Sequence, residues 1–475
     1  MSGSSRQLAS GLLRAFSAAR NSCPHHQAGY RDASAVLKRT CAGTNQDDHE
    51  YAFEMVFSTL RFGVGVTKEI GFDVRQMGAR NTMVLTDANV AETRAFTAVS
   101  ESLTKQQCRF SVFDAVRVEP TDTSFLAAIE AARIGGYDSF VAVGGGSTMD
   151  TAKCAAIFAA NPAAELWDYT VQPHGRNLVP QKPMLPLIAV PTTAGTGSET
   201  TGVSIFDIEA EKIKTGIRTR LIKPHLAIVD PLNVASMPTA VAVYSGFDVL
   251  CHALESYTAR PYTRRERPAT PATRPVYQGS NPISDVWSRH ALSIMSEYFV
   301  RSVRDPEDTE ARSQMHLASS YAGVGFGNAG VHLCHGLSYP MSGKVRTFRS
   351  DGYPRTHPLL PHGLSVVLTA PAVFEFTASA CQDRHLQAAE LLGVHDARIK
   401  YTEKDAGKVL ADRIREFMAE FRIPNGLKAV GFDQPGDAAL LASEAMKSLS
   451  ALTLAPRDTA EDAVRDIYRC SQTVY

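Results

Sequence analysis

The sequence predicts a Rossmann-like α/β domain with a mainly parallel sheet, followed by an all-α domain. Short β-rich segments alternate with helical stretches over residues 51–238, which is the pattern of βαβ units. Beyond Pro238 the strand signals nearly vanish, and periodic segments rich in Ala, Leu and Glu take over. At 475 residues the chain is also long enough for two domains that each bury a core.

The N-terminal segment is basic and carries no acid. Its first 31 residues contain four arginines and neither Asp nor Glu. Projected at about 100° per residue, Leu8, Leu12 and Phe16 share one side of a helix, while three of the arginines lie on another. This is the amphipathic pattern of a mitochondrial presequence, and a disordered basic tail is the alternative. We therefore assign residues 1–45 to a mitochondrial presequence and disordered segment outside the fold, and we expect the protein in the mitochondrial matrix.

Five β-rich segments define the predicted sheet. They span residues 82–86, 110–113, 140–143, 187–190 and 226–229. Helical periodicity is clearest in residues 249–258, 287–303 and 384–392. The α/β domain is predicted to cover residues 46–237, and the helical domain residues 238–475. Prolines and arginines interrupt the second domain at residues 260–282, which predicts an exposed loop, and a similar interruption at residues 344–361 predicts a second loop insertion.

Composition excludes several classes of protein. Hydrophobic residues make up 44% of the chain and charged residues 21%, as in a folded globular protein. The formal net charge is zero, so the charge balance indicates neither a nucleic acid nor an acidic membrane as partner. No apolar run approaches the roughly 18 to 20 residues that span a bilayer. The eight cysteines stand singly, which favours a reducing compartment over a disulfide framework. We expect small-molecule partners, and a homo-oligomer is compatible with these features.

A glycine-rich turn follows one predicted strand. Residues 140–143 run into Gly144-Gly145-Gly146-Ser147, and the helical residues 149–160 follow. A strand, a glycine turn and a helix N-terminus together aim free backbone N–H groups at a phosphate, and the missing side chains let a pyrophosphate approach closely. The order GGGST lacks the third glycine of G-x-G-x-x-G, so a tight turn without a ligand is the alternative.

Two further strand ends support a nucleotide site. The segment PTTAGTGSE follows the strand at residues 187–190, and its small residues and hydroxyls suit ribose and phosphate. Asp87 ends another strand, where a carboxylate can accept hydrogen bonds from a ribose diol. A polar loop with capping threonines and a simple turn-capping Asp are the alternatives. Taken together, the two loops and the acid predict a dinucleotide such as NAD(H).

A candidate metal pair lies on a predicted helix. Asp248 and His252 are four residues apart, which places both side chains on one face, and apolar residues surround them. An exposed ion pair is the alternative, but a buried Asp requires compensation, which a divalent metal supplies.

Further imidazoles follow later in the chain. His332, His335 and His362 stand among small and apolar residues. Three imidazoles and one carboxylate suit Fe²⁺ or Zn²⁺ and leave coordination positions open for a substrate. Spacing alone does not choose between His332 and His335, nor does it exclude His316 or His357 as a ligand.

Four motifs in order resemble the iron-containing alcohol dehydrogenase family. They are GGGSTMDTAK, PTTAGTGSE, GFDVLCHALESY and the pair HGLSYP and PHG, and the resemblance runs from about residue 55 to residue 470. It implies that the metal, Fe²⁺ or Zn²⁺, is held by Asp248, His252, His335 and His362, with His332 only a neighbour. It implies that the dinucleotide contacts Asp87, Gly145, Gly146, Ser147, Thr192, Thr193 and Thr196, with Lys214 as a weaker candidate.

Within that family, the presequence, the loop after Tyr257 and the insertion before Pro361 resemble a mitochondrial transhydrogenase branch. The resemblance implies that 4-hydroxybutyrate is oxidised to succinate semialdehyde while 2-oxoglutarate is reduced to D-2-hydroxyglutarate, with the nicotinamide retained. A metal acting as a Lewis acid is expected to stabilise the substrate alkoxide. Many relatives carry a histidine where this chain has Tyr339, so Tyr339 or a water is the expected route for the proton.

Both implied substrates carry carboxylates, so a cationic anchor is expected. Lys344, Arg346 and Arg349 follow the third ligand and are candidates, with a solvated basic loop as the alternative. Two other functions remain open at this point. One is a dehydrogenase that releases NADH, and the other is a non-catalytic relative that binds metal or cofactor.

Overall fold

The computed structural model describes residues 49–447 and 449–475. The predicted presequence, residues 1–45, lies outside the described residues. Residues 50–475 form one compact unit, so the division into domains at residues 237 and 238 stays a prediction. In the described part of the chain, no helix is long and apolar enough to cross a membrane.

A parallel sheet forms the first half of this unit. Within the described residues it has six strands in the order β1-β8-β5-β4-β2-β3. The strands are β1 (Thr59–Phe62), β2 (Thr82–Leu85), β3 (Phe110–Phe113), β4 (Ser139–Gly144), β5 (Leu187–Pro191) and β8 (Leu226–Val229). The five predicted strands are thus confirmed to within one residue at either end. The edge strand β1 was missed because its four residues are only half-buried or exposed and give no apolar run.

Both faces of the sheet are covered, which explains its continuous apolar strands. Val84, Val141 and Ile188 pack on one face, and Met83 and Phe140 pack on the other. The helices of this half are α1 (Ile70–Gln76), α2 (Arg94–Lys105), α3 (Asp122–Gly135), α4 (Gly146–Ala160) and α5 (Leu166–Tyr169).

An antiparallel hairpin of β6 (Val203–Ile208) and β7 (Ile213–Arg218) stands apart from the sheet. Val203 pairs with Arg218, Ile205 with Gly216 and Asp207 with Lys214, so these six side-chain positions share one face. Phe206, Ile208 and Ile217 lie on the other face and join the core against the sheet. The hairpin was not predicted, because lysine and glycine interrupt the apolar pattern of β7.

The second half is helical, as predicted. Its helices are α6 (Thr239–Thr258), α7 (Pro282–Arg304), α8 (Thr309–Ala329), α9 (Leu333–Lys344), α10 (His362–Val367), α11 (Ala370–Thr377), α12 (Gln382–Leu391), α13 (Ala397–Lys400), α14 (Ala406–Glu420), α15 (Asp437–Lys447), α16 (Leu449–Leu452) and α17 (Glu461–Cys470). Helix α6 is buried along nearly its whole length. Gly246 permits this packing, because a Cβ there would lie 2.1 Å from the Phe299 ring.

The two predicted loop insertions differ from expectation in one respect. Residues 345–361 contain no helix or strand, and residues 262–275 are largely exposed. Residues 276–281, however, are buried, so the prediction of an exposed loop as far as residue 282 was wrong there. The reason is tertiary: the Gln278 side chain bonds both the N–H and the carbonyl of Glu54, and Tyr277 packs against Phe326.

Candidate metal and dinucleotide site

A large cleft opens at the carboxyl ends of β2, β4 and β5. It lies where the strand order reverses, since β3 flanks β2 on one side and β4 flanks it on the other. Ligands of open α/β sheets bind at such a switch point. The cleft has a volume of about 680 Å³. Its lining includes the predicted dinucleotide residues Asp87, Gly145, Gly146, Ser147, Thr192, Thr193 and Thr196.

The glycine turn is held tightly against the threonine loop. Gly144 pairs with Pro191 at the ends of neighbouring strands, and the Thr192 N–H donates to the Gly144 carbonyl at 3.0 Å. Helix α4 then begins at Gly146, directly after the strand. A Cβ on Gly146 would lie 2.6 Å from Thr196 Cγ2, so only glycine fits without displacing that threonine. The turn therefore presents a helix N-terminus to the cleft.

Asp87 has two roles in the geometry. Its Oδ1 accepts hydrogen bonds from the backbone N–H groups of Asn89 and Val90 at 3.0 and 3.1 Å. The carboxylate thus caps a turn, which was the alternative weighed from the sequence. It also lines the dinucleotide cleft, so the two roles are compatible.

The predicted metal ligands gather around one carboxylate oxygen. The Nε2 atoms that lie near Asp248 Oδ1 are those of His335 at 3.4 Å, His362 at 3.6 Å and His252 at 3.7 Å. Two donor atoms that each lie about 2.1 Å from one cation at a tetrahedral angle are about 3.4 Å apart. The spacing of these atoms therefore matches a shared divalent cation. Asp248, His252 and His335 form the tighter group, and the His362 side chain lies at its rim, 27% exposed.

Two buried atoms at the centre of this group make no hydrogen bond to a described residue. Asp248 Oδ1 and His335 Nε2 are buried, and neither has a hydrogen-bond partner in the described part of the chain. Unpaired buried polar atoms are costly, and a bound cation would satisfy both. Burial lowers the pKa of His252 to about 3, so that imidazole is neutral, as metal binding requires. Burial opposes ionisation of Asp248, but the surrounding histidines hold its pKa well below the usual value.

Three helices position these side chains. Asp248 and His252 lie one turn apart on α6, as the spacing predicted. His335 lies in the first turn of α9, and His362 is the first residue of α10. The His252 ring stacks between Phe326, at 3.8 Å between ring centroids, and His335, at 4.5 Å. This stacking fixes the direction of its ring nitrogens.

Glu255 is a residue of the site that the sequence analysis missed. Its Oε2 bonds His335 Nδ1, and its Oε1 accepts the backbone N–H groups of His332 and Cys334 at 3.0 and 2.7 Å. The carboxylate therefore caps α9 and orients the imidazole that faces Asp248. A signal was present, because Glu255 lies three residues after His252 and seven after Asp248, on the same face of α6.

The other candidate histidines lie elsewhere. His332 Nε2 bonds Thr258 Oγ1 at 3.0 Å, so this nitrogen is directed away from the Asp248 group. His316 is buried within α8. His357 lines a separate surface cavity with Arg117.

A smaller cavity of about 120 Å³ is lined by Asp248, His252, His335 and His362. We call these four residues the metal group and this space the metal cavity. Its apolar wall consists of Val203, Ile205, Tyr277, Phe326 and Val331. Tyr339, one turn after His335 on α9, lines the cavity as well. The residues that line both this cavity and the dinucleotide cleft are Glu119, Gly146, Ser147, Thr196, Asp248 and His362. The two spaces therefore meet at the metal group.

Lys214 lies in the metal cavity and does not line the dinucleotide cleft. Its Nζ donates to Glu119 at 2.7 Å and to Asp207 at 3.3 Å. Burial opposes ionisation of Glu119, yet the Lys214 charge holds the pKa of this carboxyl below its usual value. The lysine charge is thus shared by two carboxylates.

The candidate carboxylate anchors do not line the metal cavity, which agrees with the alternative of a solvated basic loop. Arg346 forms an ion pair with Asp437. Arg349 donates to backbone carbonyls within its own loop. Lys344 lies in a small adjoining pocket that also contains Tyr339, but its Nζ reaches only the carbonyl of Glu211, at 3.4 Å. Sequence proximity to His335 did not place these groups in the cavity, because α9 ends at Lys344 and the following residues bond elsewhere.

Comparison with known proteins agrees with this geometry. The protein-family model described as iron-containing alcohol dehydrogenase matches residues 58–231. A second family model, described as Fe-containing alcohol dehydrogenase family, C-terminal, matches residues 276–472. The chain is 52% identical over 472 residues to a Caenorhabditis briggsae protein named hydroxyacid-oxoacid transhydrogenase, mitochondrial, covering 99% of this chain and all of the relative. It is 50% identical over 465 residues to a Bos taurus protein of the same name, covering 98% of each.

A solved structure shares the fold. The crystal structure of a 1,3-propanediol oxidoreductase matches with a TM-score of 0.76 at 24% identity, covering 89% of this chain and all of that one. Both family models, the full-length relatives and the grouping of one aspartate with three histidines beside a dinucleotide cleft lead to one conclusion. The chain belongs to the iron-containing alcohol dehydrogenase family.

Proposed function

We propose that this chain transfers hydride from a hydroxy acid to an oxo acid through a nicotinamide that stays bound. The observation that carries the proposal is the junction of the two cavities, where Asp248 and His362 line both the metal cavity and the dinucleotide cleft. A nicotinamide in the cleft and a substrate in the smaller cavity would meet at this junction. Relatives that are about half identical over their full length are named for this reaction and for the mitochondrion, which supports a mitochondrial matrix location as well.

Asp248, His252, His335 and His362 are the residues that would hold Fe²⁺ or Zn²⁺. A divalent cation there supplies Lewis-acid polarisation of the substrate oxygen, and NAD supplies the hydride acceptor and donor. With a cation bound, Glu255 would keep His335 in the tautomer whose Nε2 lone pair faces that cation, because Nδ1–H would donate to the carboxylate. The glycine turn and the threonine loop would hold the pyrophosphate, and Asp87 the ribose.

Tyr339 is the residue that we assign to proton transfer. It lies one turn after His335 on α9, so both side chains share a face and line the same cavity. Its hydroxyl would relay the proton, accepting the one from the hydroxy acid while it passes its own to a water, and the reverse exchange would protonate the oxygen of the oxo acid. The Lys214 ammonium, which forms ion pairs with Glu119 and Asp207, would hold these two carboxylates in position beside the cavity.

The substrates proposed are 4-hydroxybutyrate and 2-oxoglutarate. 4-Hydroxybutyrate loses one hydride and one proton to give succinate semialdehyde. 2-Oxoglutarate gains one hydride and one proton to give D-2-hydroxyglutarate. The cycle therefore needs no external oxidant. Retention of the nicotinamide between the two half-reactions distinguishes this proposal from a dehydrogenase that releases NADH.

A coupled assay without added nicotinamide tests the proposal. Purified, metal-loaded enzyme is incubated with 4-hydroxybutyrate and 2-oxoglutarate, and both products are quantified by mass spectrometry. We expect succinate semialdehyde and 2-hydroxyglutarate in equal amounts, over many turnovers per enzyme-bound NAD. Formation of 2-hydroxyglutarate only when free NAD is supplied would instead establish a dehydrogenase that releases its cofactor. Deuterium at C4 of hydroxybutyrate should appear at C2 of hydroxyglutarate without dilution.

A further inference from the structure

Arg218, the last residue of β7, extends from the hairpin face that borders the metal cavity. It pairs with Val203 in the antiparallel register, and the next pair on that face is Ile205 with Gly216. Val203, Ile205 and Lys214 all line the cavity. Because paired residues of antiparallel strands point to the same side, the Arg218 side chain lies on the cavity side of the hairpin.

An aromatic contact confirms this direction. The Arg218 guanidinium carbon lies 5.0 Å from the centroid of the Tyr277 ring, and Tyr277 lines the cavity. The Tyr277 ring contacts Phe326 edge to face at 6.5 Å, and Phe326 stacks on the metal-group residue His252 at 3.8 Å. Arg218 is not itself among the lining residues, but it lies against one of them, and the Tyr277 and Phe326 rings connect it to His252 along one side of the cavity.

The charge of Arg218 is not neutralised by the protein. Among residues 49–447 and 449–475 it forms no ion pair, and its buried Nε has no hydrogen-bond partner. Lys214, on the same strand face, differs because Glu119 and Asp207 compensate its charge. The cavity lining also contains the acids Glu119, Asp150 and Asp248, and the charge of its lysine, Lys214, is already shared with carboxylates. A carboxylate that enters this cavity therefore needs a free cation, and Arg218 is suitably placed.

We propose that Arg218 binds the distal carboxylate of both substrates, while their reacting oxygens lie at the metal group. This inference rests on the proposed function. In 4-hydroxybutyrate three carbon–carbon bonds separate the reacting carbon from the carboxyl carbon. In 2-oxoglutarate three carbon–carbon bonds also separate the reacting carbon from the distal carboxyl carbon. A single anchor at a fixed distance therefore serves both half-reactions, and the aromatic and aliphatic wall between the two ends suits the methylene groups.

The assignment makes Arg218 a specificity-determining residue. Planar guanidinium groups pair well with carboxylates, and the contact with Tyr277 restricts the arginine before the substrate arrives. The site would select acids whose charge lies at this spacing. Alcohols of the same length without a carboxylate would bind only through the metal end and the apolar wall.

The test compares wild-type enzyme with Arg218→Gln and Arg218→Lys, all purified with their metal and NAD. We expect Arg218→Gln to raise KM for both 4-hydroxybutyrate and 2-oxoglutarate by about tenfold or more, the scale of a lost charge-assisted hydrogen bond. Turnover of the uncharged analogue 4-hydroxybutyramide should not change. Arg218→Lys should recover part of the loss. Arg80→Gln is the matched control, because that arginine side chain is 90% exposed on the surface.

Calorimetric binding of glutarate, which has no reacting oxygen, keeps the inference separate from the proposed function. We expect glutarate to bind the wild-type holoenzyme and the Arg80→Gln variant, and to lose affinity in Arg218→Gln. If glutarate binds both enzymes equally, the anchor lies elsewhere and the inference is wrong. Equal losses for the acid and the amide would also overturn it, because they would indicate a structural role. If the wild type binds glutarate through Arg218 yet transfers no hydride between acids, only the proposed function fails.

Discussion

Glu255 contacts His335 through both of its carboxylate oxygens. One oxygen bonds the ring Nδ1, and the other accepts the N–H groups at the start of the helix that carries this histidine. The pair therefore fixes the imidazole at its ring and at its backbone. Such partners of metal-binding histidines set the orientation and basicity of the ring.

Replacing Glu255 with Gln should weaken metal binding more than it weakens folding. The NH₂ group of the glutamine would face either Nδ1–H of His335 or the backbone N–H donors of α9. Two donors cannot bond each other, so the orientation of His335 would be lost. We expect metal affinity to fall by about 10- to 100-fold, measured by titrating apoenzyme with Zn²⁺ or Fe²⁺. Glu101→Gln on the exposed surface of α2 is the control. Unchanged affinity in Glu255→Gln would show that the carboxylate only caps α9.

Removing His335 itself should abolish both metal binding and turnover. His335 Nε2 lies 3.4 Å from Asp248 Oδ1, within the tightest part of the group. We expect elemental analysis of His335→Ala to find metal at background level, while His357→Ala keeps a full complement. Activity retained by His335→Ala would move the ligand to His332.

Alanine at Gly146 should impair dinucleotide binding. The added Cβ would collide with Thr196, and the resulting shift would reach the junction of both cavities. Overpacking of this kind costs roughly 1–3 kcal/mol, which corresponds to a loss of NADH affinity of about fivefold or more. Fluorescence titration of the stripped enzyme with NADH measures it. Gly436→Ala is the control, since nothing lies within 4 Å of a Cβ there. Equal affinities in the two variants would contradict the assignment of the glycine turn.

Phenylalanine at Tyr339 should slow proton transfer while leaving the metal in place. The hydroxyl is the group that we assign to the proton, so kcat should fall by about 100-fold or more, the usual contribution of general acid–base catalysis. KM and metal content should stay near their wild-type values, and Tyr339→His should recover part of the rate. If Tyr339→Phe turns over normally, a water carries the proton.

Acid should destabilise the protein partly through His385. Burial lowers the pKa of this histidine to about 4, and its ring bonds Thr377 Oγ1 and the Cys381 carbonyl, each at 3.0 Å. The unfolded chain takes up a proton near pH 6.5 and the folded one only near pH 4, so stability is full above pH 6.5 and declines below it. The slope for one such group is about 1.4 kcal/mol per pH unit.

Urea unfolding at several pH values between 7 and 4 measures this effect. His385→Gln should lose less stability over that interval than the wild type, by up to roughly 3 kcal/mol. His395→Gln, at an exposed position, should follow the wild-type curve. Parallel curves for His385→Gln and wild type would rule out the proposed titration.

The sequence predicted the parts of the structure that depend on local pattern. Buried parallel strands are continuous apolar runs, so they were located to within one residue. The i and i+4 spacing of Asp248 and His252 fixes their common face on any helix. The hairpin was not predictable in this way, because Lys214, which lines the metal cavity, and Gly216 interrupt the apolar pattern on which strand recognition depends.

The remainder of the site depends on tertiary packing. Spacing could not choose His335 over His332, because the two lie near the start of one helix, and only the fold shows that His332 bonds Thr258 instead. The resemblance supplied that choice. For Lys344, Arg346 and Arg349 the solvated loop, which was the alternative, fits better, since closeness in sequence to a metal ligand did not bring their charges into the cavity. Arg218, more than a hundred residues before His335, lies on the hairpin face that lines the cavity and against the lining residue Tyr277.

The shared lining of the two cavities has a kinetic consequence. The metal group and Arg218 define a single binding site for an acid, and a nicotinamide in the adjoining cleft would form one side of that site. The hydride donor and the hydride acceptor would then compete for this site and would have to bind one after the other. Initial rates at several concentrations of each acid should give parallel double-reciprocal lines, with each acid inhibiting the other at excess.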